Sequence, residues 1–134
     1  MTAETSKGNI LLLDDDKFLV DMYSMKFIRE GYTVQATLKA EDAIAMLEGG
    51  YPADAIVFDI LMPEFDGFAF LQRLREKQIA PNAVKIALSN QNNDADRTRA
   101  LSLGADRYVV KASMIPSEVV TAVAEEIAKK HKGA

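Results

Sequence analysis

The chain has 134 residues, 49% of them apolar and 27% charged, which suits one compact domain with a real core and leaves no room for a second. Twenty acidic residues against sixteen basic ones give a net charge of −4, so no field draws the chain to nucleic acid, and direct DNA binding is not expected. The absence of cysteine excludes a disulfide framework, a thiolate metal site and a cysteine nucleophile; with no signal-like start and no run of about eighteen apolar residues, a cytoplasmic location without membrane insertion is expected.

In chain order, short apolar runs alternate with segments of helical periodicity. The runs cover residues 10–13, 32–36, 55–58, 83–88 and 107–110, most of them apolar throughout, as strands covered on both faces are. After the first, Phe18, Leu19, Met22, Met25 and Ile28 are read as the buried stripe of a helix, with Met22, Met25 and Met46 as core methionines. Ala40, Ala43, Ile44 and Leu47 form the next stripe, at the i, i+3, i+4, i+7 positions of one helix face. Residues 68–76 are moderately helical, and 93–103 are the least amphipathic, so the fourth helix is expected to be the most exposed. Val119, Val120, Val123 and Ile127 mark the last helix, with Pro116 just inside its start. Residues 1–8 and 131–134 are expected to be tails around a single domain over 9–130, with fraying from Lys129 onward. His131, the sole histidine, is read as an exposed tail residue.

Five βα units joined by right-handed crossovers leave few topologies. The expected fold is α/β: a flavodoxin-like, doubly wound, five-stranded parallel sheet in the order 2-1-3-4-5 with five helices on both faces. This order sets strands one and three side by side, and ligands bind beyond their carboxyl ends. There the sequence places Asp14, Asp15 and Asp16 after strand one and Asp59 after strand three. Converging carboxylates raise each other's pKa or recruit a hard cation such as Mg²⁺, which favours phosphate as a further partner. Asp16 is read as a helix cap; for Asp14 and Asp15 alone, capping and metal binding are evenly balanced, and Asp59, costly between Phe58 and Ile60, favours the metal. Ser89 and Lys111 follow strands four and five on the same edge, where a hydroxyl and an ammonium suit a phosphoryl group. No glycine-rich phosphate loop follows strand one, which argues against nucleotide binding.

These residues resemble the receiver domain of bacterial two-component response regulators, from about Asn9 to Lys129. The resemblance lies at Leu12-Leu13-Asp14-Asp15, at the segment from Asp59 through Leu61, Met62 and Pro63 to Gly67, at Ser89, at Gly104-Ala105-Asp106 and at Tyr108-Val109-Val110-Lys111. It implies that Asp59 accepts a phosphoryl group from a phosphohistidine, with Mg²⁺ held by Asp15, Asp59 and the Leu61 backbone carbonyl, and by Asp14 through water. It implies that Lys111 and Ser89 contact the phosphoryl group and that Tyr108 turns into the space Ser89 leaves, remodelling the surface of helix four, strand five and helix five. The implied partners are a sensor histidine kinase or phosphotransfer protein and a downstream protein target, with a phosphorylation-dependent dimer among the outcomes. The chain would then be a signalling domain rather than an enzyme with a free substrate.

Two positions depart from the family's usual pattern. Ala112 follows Lys111 where proline is usual, so that bond is either trans in a reshaped loop or strained. Leu61 replaces the polar residue of several members, and a shielded, longer-lived phosphoryl group is expected. Three rivals remain: a phosphorylation-independent pseudo-receiver or scaffold, a flavin-binding protein, which the acidic first loop disfavours, and an aspartyl-phosphate phosphatase, which lacks its second aspartate at Leu61.

Overall fold

A computed structural model describes residues 6–62, 65–111 and 115–132, excepting the side chains of the last two. Strands and helices alternate without interruption: β1 Asn9–Leu13, α1 Lys17–Arg29, β2 Thr33–Thr37, α2 Ala40–Glu48, β3 Ala55–Asp59, α3 Gly67–Glu76, β4 Val84–Ser89, α4 Asp94–Ser102, β5 Arg107–Val110 and α5 Pro116–Lys132. The sheet is parallel, in the expected order β2-β1-β3-β4-β5.

Because successive strand residues point to opposite faces, the sheet divides the core in two. Leu11, Leu13, Ile56, Phe58 and Ala87 pack under α2, α3 and α4, whereas Ile10, Leu12, Val57, Ile86, Leu88 and Val109 pack under α1 and α5. β3 is buried along its whole length, which explains its unbroken apolar run; β2, at the edge, keeps only Thr37 fully buried.

Three expectations need correction. In α1 the buried residues are Val20, Tyr23 and Phe27, while Phe18, Met25 and Ile28 are exposed and Leu19 and Met22 only line the core. Apolar residues occupy more than one face of this helix, so its periodicity could not select the face that the larger Tyr23 and Phe27 rings claim. At the C-terminus α5 continues to Lys132, so Lys129 to Lys132, read as frayed, are helical. At the N-terminus, Ser6 to Gly8 are not free: the Lys7 N–H donates to the Gly31 carbonyl at 2.9 Å, and the Gly8 carbonyl accepts from the Thr33 N–H at 3.0 Å. Residues 1–5, Ala112 with its bond to Lys111, and 133–134 lie outside the described residues, as do Pro63, Glu64 and the His131 side chain. Pro116 opens α5, and α4 buries only Ala100, both as expected.

Candidate functional site

Each site residue stands at the carboxyl end of its strand because the parallel sheet brings all those ends to one edge. Asp14 follows β1 directly, and its Oδ1 accepts the Asp16 N–H at 2.9 Å, tightening the turn into α1. Asp16 caps that helix as expected, its Oδ1 accepting from Phe18 and Leu19 N–H at 3.0 and 3.3 Å. Asp59 and Ser89 are the last residues of β3 and β4, inside the strands rather than after them. Both are buried, as is Asp14.

The structure brings Asp14, Asp15 and Asp59 together: one carboxylate oxygen from each lies within 4.8 Å of the others. Lys111 Nζ enters the same cluster, 2.9 Å from Asp14 Oδ2 and 3.3 Å from Asp59 Oδ2. One ammonium against three carboxylates leaves the pocket with uncompensated negative charge, and Asp15 is the exposed member without an ion-pair partner among the described residues. An all-oxygen donor set with surplus negative charge fits a hard divalent cation. Burial pushes the Asp59 carboxyl up to about 6; Asp14 adds to the rise, while Lys111 and the Leu61 N–H, which donates to Oδ1 at 3.2 Å, oppose it. Burial alone would lower Lys111, but its hydrogen bond to Asp14 and the Asp59 charge outweigh that and hold it above the usual lysine range.

Ser89 and Tyr108 adopt a different arrangement from the expected sequence of movements. The Ser89 hydroxyl turns back onto its own loop, donating to the Gln91 carbonyl at 3.0 Å and accepting the Gln91 N–H at 3.1 Å. The Tyr108 ring is already buried, and its hydroxyl donates to the same carbonyl at 2.9 Å. Gln91 enters through its backbone, which no side-chain pattern announces. Leu61 is 63% exposed beside the pocket.

Sequence reasoning also missed an apolar rim. Phe18, Leu38, Leu61 and Ile115 are all exposed, and each lies in a segment that follows the carboxyl end of a strand, on the edge that carries the acidic pocket. The available signal was Phe18 itself, out of phase with Tyr23 and Phe27 on α1.

The doubly wound sheet carries three carboxylates at its switch point, two of them bridged by Lys111, and this is the arrangement of a signalling receiver domain. A family model described as the response regulator receiver domain matches residues 10–124, and the chain belongs to that family. Among curated relatives it is 35% identical over 118 residues to the regulatory protein VanRc of Enterococcus gallinarum, covering 88% of this chain and 49% of that protein. It is 33% identical over 112 residues to the response regulator SaeR of Staphylococcus aureus, covering 84% of this chain and 47% of that protein. The chain thus spans about half the length of the curated relatives it matches. Among solved structures, a CheY-like receiver domain protein from Methanospirillum hungatei superposes with a TM-score of 0.86 at 25% identity, covering 96% of this chain and all of that one. The receiver domain of a Francisella response regulator gives 0.82 at 26% identity, covering 92% and 98%. Among the described residues no helix is long and apolar enough to cross a membrane.

Proposed function

We propose that this chain is a cytoplasmic phosphorylation switch, one receiver unit over residues 9–130, that takes a phosphoryl group onto Asp59 from a phosphohistidine of a sensor kinase or phosphotransfer protein. The observation that carries this reading is the contact of Lys111 with both Asp14 and Asp59 while Asp15 stays within reach of the same point. In the transfer, an Asp59 carboxylate oxygen forms the new P–O bond as the P–N bond breaks, and the ring, already protonated on its other nitrogen, leaves as neutral imidazole. The Leu61 N–H orients the Asp59 carboxylate from one side. Lys111 then exchanges its Asp59 contact for a phosphoryl oxygen, and the Ser89 hydroxyl leaves the Gln91 carbonyl to donate to another. Asp15, Asp59 and the Leu61 carbonyl would hold Mg²⁺, with Asp14 through water. Bound Mg²⁺ neutralises charge on the carboxylates and the transferred group.

Loss of the Ser89 hydrogen bond leaves Tyr108 as the remaining hydroxyl donor to Gln91, which links the phosphoryl group to the α4, β5 and α5 surface that would meet the downstream target. The phosphodonor would dock on the apolar rim at Phe18, Leu38, Leu61 and Ile115.

The test is labelling by acetyl phosphate, read by intact mass and hydroxylamine sensitivity, together with metal titration. Wild type should label only with Mg²⁺ and Asp59→Asn not at all. Asp15→Asn should weaken metal binding by about tenfold or more. Labelling of Asp59→Asn at the wild-type rate, or equal metal affinity in Asp15→Asn, would reject the assignment.

A further inference from the structure

At the opposite, amino edge of the sheet, a cavity of about 350 Å³ opens between α3, the turn before β4 and the end of α4. Leu71, Leu74, Ile79 and Leu103 give it apolar walls, and Arg75 and Lys85 give it two cations. Lys85 is the second residue of β4, between Val84 and Ile86, which point to the other core. Its Nζ donates to the Ala80 carbonyl at 2.9 Å, and Arg75 Nη1 donates to the Ser102 carbonyl at 2.9 Å. Neither forms an ion pair among the described residues. Asp106, whose charge reaches the ammonium, spends Oδ2 on the Lys85 backbone N–H at 2.8 Å, and Lys130 acts in the opposite sense. Burial lowers the Lys85 pKa, as expected of a cation without a close carboxylate.

A second feature marks the same place. The turn closing the cavity holds Gln78 at φ 51° and Ala80 at φ 48°, a left-handed conformation that non-glycine residues adopt at a cost and that clusters at functional sites. It is this strained turn that offers the Ala80 carbonyl to Lys85.

We propose that the cavity binds a small carboxylate with an apolar body, its carboxylate between Lys85 and Arg75 and its body against Leu71, Leu74 and Leu103. A guanidinium fork with an ammonium suits a carboxylate, and its charge would complete the half-buried lysine. The apolar walls select against a fully hydrated anion such as phosphate, and the volume lies at the small end of ligand sites. The site shares no residue with the acidic pocket, so it stands or falls independently of the phosphoryl reading.

Phenylacetate, phenylacetamide and inorganic phosphate, titrated into the whole chain and followed by amide chemical shifts, test it. Phenylacetate should give saturable shifts confined to the end of α3, residues 78–85 and 103–106. Phenylacetamide should bind at least about tenfold more weakly. Lys85→Met, which keeps an apolar stem, and Arg75→Gln should each lose affinity for phenylacetate, while their response to beryllofluoride at Asp59 stays that of wild type, showing an intact fold. Absence of saturable shifts, equal binding of the amide, unchanged affinity in Lys85→Met, or phosphate binding as tightly at the same residues would each overturn the proposal.

Discussion

Asp59 is held ionised against its surroundings. Burial and the neighbouring Asp14 raise its pKa from 3.8 to about 6, so ionising it costs more in the folded chain than in the unfolded one. The resulting penalty is absent below the ordinary value, grows as pH rises from about 4 to about 6, and is complete above that window. In metal-free protein, Asp59→Asn should therefore be more stable than wild type near pH 7. A gain on the order of 1 kcal/mol is expected after allowance for solvent screening. Lys111 keeps its 2.9 Å contact with Asp14, so the substitution strands no cation. The gain should shrink on acidification and vanish below about pH 4, as urea unfolding at a series of pH values would show. A variant less stable than wild type at neutral pH would mean that the Lys111 attraction outweighs burial. This tension was legible in the sequence, because a carboxylate between Phe58 and Ile60 has no inexpensive place in an apolar strand. The position of Lys111 over Asp14 as well as Asp59 was not, since it depends on how β5 sits across the sheet from β1.

Among the elements, α3 is placed by a close approach. A Cβ built on Gly67 would lie 2.7 Å from Ile60 Cα and 2.8 Å from the Asp59 carbonyl oxygen, closer than side-chain carbons come to backbone. The Gly67 N–H meanwhile donates to the Ile60 carbonyl at 2.9 Å, pinning the helix start to the end of β3. Gly67→Ala should thus push α3 away from the end of β3 and destabilise the domain by about 1–3 kcal/mol. Amide shifts of residues 59–61 should move in parallel, and a variant as stable as wild type with unshifted amides would show that the strand end yields freely. Periodicity revealed the buried faces of α2 and α5 because their apolar residues keep to one stripe. It failed on α1, whose apolar residues exceed what one face can bury. There the sheet and α5 take Tyr23 and Phe27, Val20 is buried on the same helix, and the remainder is left for solvent or a partner.

Across the molecule, the acidic edge is joined to the α4 surface through Tyr108. The Arg97 guanidinium carbon lies 4.7 Å from the centre of the Tyr108 ring, Nη2 donates to Asn92 Oδ1 at 2.9 Å, and Nη1 reaches the Tyr108 carbonyl at 3.5 Å. This stacking covers the ring that Gln91 holds by its hydroxyl. Arg97→Ala should release the ring without altering the acidic pocket. Ring resonances of Tyr108 and amide shifts of α4 and β5 should change in the unphosphorylated protein, while beryllofluoride still binds at Asp59. Unchanged Tyr108 resonances would show that Gln91 and the core hold the ring unaided. The sequence by itself determined the parallel α/β class, and with the common doubly wound order the edge that carries Asp14, Asp15, Asp59, Ser89 and Lys111, because strand period and crossover handedness leave few arrangements of the strand ends. Only the tertiary structure decided which face of α1 is buried, that Ser89 and Tyr108 share the Gln91 carbonyl, and that Arg97 covers the ring. These depend on side-chain rotamers, a backbone acceptor and contacts between distant segments, none of which leaves a periodic trace in one sequence.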